Sequence, residues 1–402
     1  MKHIILLADG FADEPINEFG GKTPMQAAKT PNIDALCVKS RTGLLHTVPD
    51  SLHPGSEVAN MAVLGYDVEA VYEGRGVLEA ASMGIDFDAD DLVFRCNIIS
   101  LQDENILNHS AGHISTPEAH ELIAELNAKL GDARVRFYPG VSYRHVLIIK
   151  GGNKHVRCVP PHDVPGSPYK TMLPKADNLE SKDTQLLLVE LMEKSRAILD
   201  AHPVNIKRKA DGKPQANIIW PWSPGKRPNM PTLEALYGIK SGGVISAVDL
   251  IHGIGKLAGL EVIHVDGATG LYDTNYEGKV EAAVEALKTK EFVFLHIEAS
   301  DEAGHEGDFE LKKKTLEYLD SRVVKYLVEE TAKFSEPVSI AILPDHPTPC
   351  YKKTHTRAAV PFMIYTPNVE GDKVQEYNEY SVSEGYYGIL KGAEFMRAFL
   401  GK

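Results

Sequence analysis

The chain reads as an α/β protein: a mostly parallel sheet flanked by helices, with a smaller α+β domain inserted into it. Three observations predict this. Short apolar runs alternate with helix-like stretches toward both ends of the chain, the pattern of strands that return to a shared sheet through crossover helices. The middle of the chain breaks that alternation. A length of 402 residues also exceeds the point at which one hydrophobic core usually stops growing, so two domains with a cleft between them are expected.

Residues 2–8 form the first predicted strand, which breaks at Asp9-Gly10. An acidic residue at such a strand end faces the crevice where open α/β sheets bind ligands. Further strands are expected at 243–248, 261–265, 292–297, 338–343 and 361–365, with helices at 249–258, 278–288 and 309–332. In the middle, strands are expected at 92–101, 135–138 and 142–150, with helices at 117–130 and 183–201. Two Pro-rich passages, at 159–176 and around Trp220 to Gly225, read as loops, and 160–174 is the candidate mobile or substrate-covering segment. Boundaries therefore fall near 65 and 240: residues 1–65 and 240–402 form one discontinuous domain, and 66–239 the inserted one.

Hydrophobic residues at 43% and charged residues at 25% are ordinary globular values. The formal net charge is −13, and the only basic runs are short, Lys207-Arg208-Lys209 and Lys312-Lys313-Lys314. Nucleic acid and anionic membranes are thus excluded as expected partners. The apolar run before Asp9 is too short for a signal peptide and no window approaches a membrane span, so a cytoplasmic location is expected. Four cysteines (Cys37, Cys96, Cys158, Cys350) lie far apart and suggest neither disulfides nor a thiolate metal site. No pattern points to a particular oligomeric state.

Three groups of hard or borderline metal ligands sit at predicted strand ends: Asp9; Asp301 with His305; and Asp345-His346 followed by His355. Carboxylate mixed with imidazole suits Mn²⁺, Zn²⁺ or Co²⁺, and Mg²⁺ less well. Asp301 and His305 are four apart, so on a helical turn both project from one face. Six ligands exceed what one open catalytic ion needs, and two ions can activate one oxygen and stabilise another during displacement at phosphorus. Ser56, in His53-Pro54-Gly55-Ser56-Glu57-Val58-Ala59-Asn60, is the candidate nucleophile: Gly55 permits a tight turn, the following residues can open a helix, and a metal can activate the hydroxyl without a histidine base.

Leu7-Ala8-Asp9-Gly10, Pro54-Gly55-Ser56-Glu57, Tyr72-Glu73-Gly74-Arg75-Gly76, Glu298-Ala299-Ser300-Asp301-Glu302-Ala303-Gly304-His305 and Asp345-His346-Pro347-Thr348-Pro349, with His355 downstream, resemble the signatures of the alkaline phosphatase superfamily. Within it they are most similar to the archaeal-type cofactor-independent phosphoglycerate mutases, over nearly the whole chain. The resemblance implies an alkaline-phosphatase-like fold. It implies one ion held by Asp301, His305 and His355, and another by Asp9, Ser56, Asp345 and His346, with Mn²⁺ as the expected metal. It implies transfer of a phosphoryl group from 3-phosphoglycerate to Ser56 and back to the other hydroxyl, giving 2-phosphoglycerate, without 2,3-bisphosphoglycerate. The partner would be a small phosphorylated substrate.

The inserted domain is then expected to bind the substrate's anionic groups through Arg75 and Arg144, whose planar forks suit carboxylate and phosphate, with His113 as an acid or base. The more widespread form of the mutase has further cations near the serine, for which Lys170, Lys226, Arg227 and His252 are candidates. The segments 108–116 and 192–196 also look like a branch of this family proposed to phosphorylate homoserine. That activity needs a phosphoryl donor, and the chain has no Gly-x-x-x-x-Gly-Lys-Ser/Thr loop for ATP. A metal-dependent phosphatase is the other alternative.

Overall fold

The computed structural model describes residues 1–402. They divide into two compact units, Met1–Tyr72 with Asn229–Lys402, and Glu73–Pro228. The edges lie at 72/73 and 228/229, where the sequence pattern suggested 65 and 240. Local contacts explain the difference. The helix Val68–Val71 extends the first unit beyond Ser56–Val63, and the helix Leu233–Tyr237 joins it through Tyr237, which donates to the Gly65 carbonyl at 3.0 Å.

The first unit is built on an eight-stranded sheet in the order Glu261–Val262, Gly242–Ile245, Phe292–Ile297, Lys2–Ala8, Val338–Leu343, Val360–Tyr365, Arg41–His46 and Ile389–Lys391. Only the two pairings made by Val360–Tyr365 are antiparallel. The central strands are buried along their length, as a parallel sheet covered by helices on both faces must be. Ile4, Leu6, Val293, Leu295, Ile340 and Ile342 form the centre of this core, each side chain contributing about 1.5–3 kcal/mol by leaving water. The strands Lys2–Ala8, Phe292–Ile297 and Val338–Leu343 lie side by side and parallel. Their carboxyl ends therefore bring Asp9, the helix bearing Asp301, and Asp345-His346 to one edge of the sheet.

The expected helix at 309–332 is interrupted: Phe309–Tyr318 passes through a π turn, Leu319–Val324, into Lys325–Thr331. The wider π turn places the buried Asp320 carboxylate against Asn32, where it accepts the backbone N–H groups of Asn32 and Ile33 at 2.8 Å each. It thereby supplies acceptors at the start of the helix Pro31–Cys37, which has no side-chain cap of its own.

The second unit holds a five-stranded antiparallel sheet around the long strand Asp91–Gln102. The helices Thr116–Leu130 and Lys182–Asp200 cover it, burying Leu122, Leu126, Leu188 and Leu191 against Phe94, Ile98 and Trp220. The passage around Trp220, expected to be a loop, is the strand Ile218–Gly225. Its two prolines are tolerated because it is an edge strand pairing only with Asp91–Gln102, with a register shift between Val93 and Arg95. The passage 160–174 is tied down: Tyr169 is fully buried, and Ile106 and Tyr169 donate backbone N–H groups to Ser167 and Glu104 carbonyls at 3.0 Å. No helix is long and apolar enough to cross a membrane. The four cysteines are unpaired.

Candidate metal centre and active site

Four of the predicted ligands of the first unit follow strands closely, whereas Ser56 opens the helix Ser56–Val63 and His355 lies in the loop before Val360–Tyr365, with His305 further along the helix that bears Asp301. Asp9 follows Lys2–Ala8, Asp345 and His346 follow Val338–Leu343, and Asp301 and His305 lie one turn apart on the helix Ala299–Glu306. Gly10 turns the chain at φ +60°, and a Cβ there would come within 2.5 Å of Asp301 Oδ1, so only glycine lets these two segments approach. Gly55 differs from expectation. It is extended (φ −171°) and serves as the N-cap of the helix Ser56–Val63, so the Ser56 hydroxyl at the first helical position is not spent on capping.

The ligand atoms of Asp9, Asp345 and His346 lie within 4.8 Å of one another, as do those of Asp301, His346 and His355. His346 is common to both sets; its Nε2 stands 3.2 Å from Ser56 Oγ, 3.4 Å from Asp345 Oδ2 and 3.7 Å from Asp9 Oδ1. His305 Nε2 completes the second, 3.2 Å from Asp301 Oδ2 and 2.9 Å from His355 Nε2, which is itself 3.5 Å from Asp301 Oδ1. Ligands about 2.0–2.1 Å from a tetrahedral ion stand about 3.3 Å apart, and these separations bracket that value.

Hydrogen bonds behind the rings determine what the rings present to the centre. His305 Nδ1 donates to the Lys353 carbonyl at 3.2 Å, and His355 Nδ1 donates to the Pro54 carbonyl at 3.3 Å. A carbonyl only accepts, so Nδ1 carries the proton of each neutral ring and Nε2 is left as a lone pair. Thr348 Oγ1 donates to Asp301 Oδ1 and is 3.3 Å from His346 Nδ1, so it accepts from that nitrogen and imposes the same tautomer. When the rings are neutral, as metal binding requires, three lone pairs face three buried carboxylates; without a cation His305 Nε2 holds a proton and donates to Asp301 Oδ2 at 3.2 Å. Asp9 Oδ1 is buried without a hydrogen-bond partner. Such a donor set requires positive charge at its centre, and it fits divalent cations.

The titration behaviour has the same cause. Burial, then the neighbouring Asp345 and Asp301, push the Asp9 carboxyl well above the ordinary carboxylate range. Burial also pushes Asp301 upward, but hydrogen bonds from His305 and His355 outweigh it and hold this carboxyl well below that range. The contact with Asp301 raises His305 to about 9. Burial opposes protonation of His355, yet Asp301 raises it on balance, whereas burial lowers His346.

Several residues that hold the ligands in place were missed in the sequence. Asn60 donates to Asp345 Oδ2 at 2.9 Å and to the Ser56 carbonyl at 2.8 Å, tying the helix that begins at Ser56 to the loop carrying Asp345. Gly10 and His346 donate backbone N–H groups to Asp345 Oδ1 at 3.2 and 2.9 Å. His296 donates to Asp9 Oδ2 at 3.0 Å. Asn60 lies one turn past Ser56 on the same helix, but His296 lay hidden in an apolar run.

The three substrate-binding candidates lie in the second unit. Arg75 opens the helix Arg75–Ser82 and donates its backbone N–H to Ser223 Oγ at 3.0 Å. Arg144 starts the strand Arg144–Lys150, its guanidinium 5.9 Å from the centre of the Tyr143 ring, and His113 meets the edge of the same ring at 6.4 Å. The sequence missed Arg95, a lone cation within a buried strand, which lies 4.4 Å over Trp222 and 2.9 Å from Glu79. Burial first, then Arg75 and Arg144, lowers its pKa. His162 meets Trp222 and His109 edge to face, so cations and rings gather in one area. Three of the four weaker candidates have structural partners: Lys170 pairs with Glu104, Arg227 donates to the Phe87 carbonyl, and His252 donates to the Ser246 carbonyl, while Lys226 has no such role in the structure.

Comparison with known proteins gives a consistent result. A family model described as 2,3-bisphosphoglycerate-independent phosphoglycerate mutase matches residues 38–205. A protein of that name from Methanosarcina mazei is 50% identical over 399 residues, 98% of each chain. Among solved structures, a protein from Pyrococcus horikoshii superposes with a TM-score of 0.83 at 29% identity, covering 100% of this chain and 97% of that one. A cofactor-independent phosphoglycerate mutase from Thermoplasma acidophilum superposes with a TM-score of 0.72 at 26% identity, covering 100% and 99%. At this identity and coverage, the chain belongs to the 2,3-bisphosphoglycerate-independent phosphoglycerate mutase family.

Proposed function

We propose that the chain interconverts 3-phosphoglycerate and 2-phosphoglycerate through a phosphoserine at Ser56, without 2,3-bisphosphoglycerate. The observation that carries this reading is the gathering of imidazole nitrogens and buried carboxylates into two groups that share His346, whose Nε2 lies 3.2 Å from the Ser56 hydroxyl. Asp301, His305 and His355 would hold one divalent ion, and Asp9, Ser56, Asp345 and His346 the other. The mixed carboxylate and imidazole set suits Mn²⁺, with Zn²⁺, Co²⁺ and Mg²⁺ as alternatives. When bound, the ions supply the positive charge that acidifies the Ser56 hydroxyl and offsets charge on the phosphate.

In the reaction, Ser56 Oγ attacks phosphorus, the bond to the C3 oxygen breaks, and that oxygen takes up a proton. The freed glycerate turns, its C2 oxygen attacks the same phosphorus as its proton leaves, and Ser56 Oγ departs. Arg75 and Arg144 are assigned to the carboxylate and phosphate, joined by Arg95, and His113 to proton transfer. The mutase names of the relatives favour this reading over homoserine phosphorylation.

Metal-stripped protein is incubated with 3-phosphoglycerate and Mn²⁺, without bisphosphoglycerate or ATP, and followed by phosphorus NMR. The proposal expects 2-phosphoglycerate to accumulate without free phosphate, and Ser56→Ala to abolish it. Release of phosphate alone would make the protein a phosphatase, and inert wild-type protein would refute the mutase assignment.

A further inference from the structure

His296, on the strand Phe292–Ile297, is 1% exposed, and both of its ring nitrogens are engaged. Nε2 lies 3.0 Å from Asp9 Oδ2 and Nδ1 lies 3.1 Å from Ser246 Oγ. Asp9, as a ligating carboxylate, only accepts, so Nε2 carries the proton of the neutral ring and Nδ1 is an acceptor. Ser246 Oγ accepts the Val248 N–H at 3.0 Å, which leaves its own hydrogen for Nδ1. His252 Nε2 donates to the Ser246 carbonyl at 3.0 Å and holds that residue from the helix Asp249–Leu257. A directed chain thus runs from the Val248 N–H through Ser246 and His296 to one oxygen of Asp9. The other oxygen, Oδ1, is the buried atom without a hydrogen-bond partner, and it faces His346 Nε2 at 3.7 Å.

We propose that His296 is a positioning residue for Asp9: by holding Oδ2 it turns Oδ1 toward the cation shared with Asp345 and His346, and Ser246 sets the tautomer that makes this possible. The orientation of a ligating carboxylate depends on such outer hydrogen bonds, whose loss typically weakens metal binding. The assignment rests on the two-ion reading above, and the test separates the two.

Metal-stripped wild type is titrated with Mn²⁺ while free Mn²⁺ is read by electron paramagnetic resonance. Failure of the wild type to bind two ions would overturn the two-ion reading itself. With two ions bound, His296→Phe, which keeps a ring but loses the donor, is expected to weaken one ion by about 10–100-fold and leave the other unchanged. His296→Gln, whose amide can donate to Asp9, should restore most of the loss. Wild-type affinity for both ions in His296→Phe overturns the proposal. Should that variant not fold, nitrogen NMR of the Zn²⁺-loaded wild type decides: a neutral ring protonated at Nε2 supports it, and protonation at Nδ1 or at both nitrogens overturns it.

Discussion

Replacing Lys312 with methionine tests how the ligand-bearing loops are held. Lys312 and Asp13 are both fully buried and 2.8 Å apart. The ammonium also donates to the Ala12 carbonyl at 3.1 Å and the Thr348 carbonyl at 2.9 Å, so its three protons are all used. It thereby joins the loop after Asp9 to the loop after Asp345 and His346. Lys312→Met keeps the chain length but leaves a buried carboxylate without its cationic partner, held by the backbone N–H groups of Glu14 at 2.7 Å and Cys350 at 3.1 Å. Removing one member of a buried pair costs about 3–5 kcal/mol, mostly from the orphaned charge. At about 2–4 °C per kcal/mol for a unit of this size, Tm should fall by about 6–20 °C. Calorimetry on metal-stripped protein reads this without stabilisation from bound ions. Lys312→Met with Asp13→Asn removes the orphaned charge and keeps an acceptor for the Cys350 N–H, so it should be more stable than the single variant. A loss below about 1 kcal/mol in Lys312→Met, within the range of an exposed pair, or no recovery in the double variant, would refute this reasoning.

Further outcomes are expected. His305, raised to about 9 by Asp301, is protonated at pH 7 in metal-free protein, so Mn²⁺ must displace a proton and bind more tightly as pH rises toward 9. Calorimetric titrations in buffers of different ionisation enthalpy should show that release; its absence would contradict the assignment of His305. The sign for metal-free stability is opposite: the contribution of a raised histidine is fully present below its unfolded value near 6.5 and is lost as pH rises through about 9. Gly10→Ala should lose both Mn²⁺ affinity and turnover, because its Cβ would meet Asp301 Oδ1 at 2.5 Å in a left-handed backbone that costs a non-glycine residue about 1–2 kcal/mol; titration and a mutase assay check both. Asp301→Ala and His346→Ala should abolish turnover through metal loss. Arg144→Ala should instead raise KM by about 10–100-fold, the worth of a hydrogen bond to a charged group, with kcat largely retained in steady-state assays.

Local pattern alone made the strands at 2–8, 292–297 and 338–343 legible, because strands covered on both faces read as uninterrupted apolar runs. The alternation of such runs with helical stretches carried the α/β class, and the chemistry of aspartate, histidine and serine at the run ends marked the candidate ligands. What the pattern could not carry were relations across the chain. The passage around Trp220 looks like a loop because proline disfavours strands, and only its position on a sheet edge makes it one. Lys312 reads as part of a basic run, yet it is buried because Asp13, 299 residues away, meets it inside the fold. His296 reads as an interruption in a core strand, and its partners Asp9 and Ser246 come from two other segments. Sequence by itself determined the class of fold and the kind of chemistry, since both follow from residue type and short-range spacing. Tertiary structure decided which nitrogen of each histidine faces the centre, which carboxylate oxygen is left for a cation, and which charge is buried, because hydrogen-bond direction and desolvation depend on neighbours that only folding brings together.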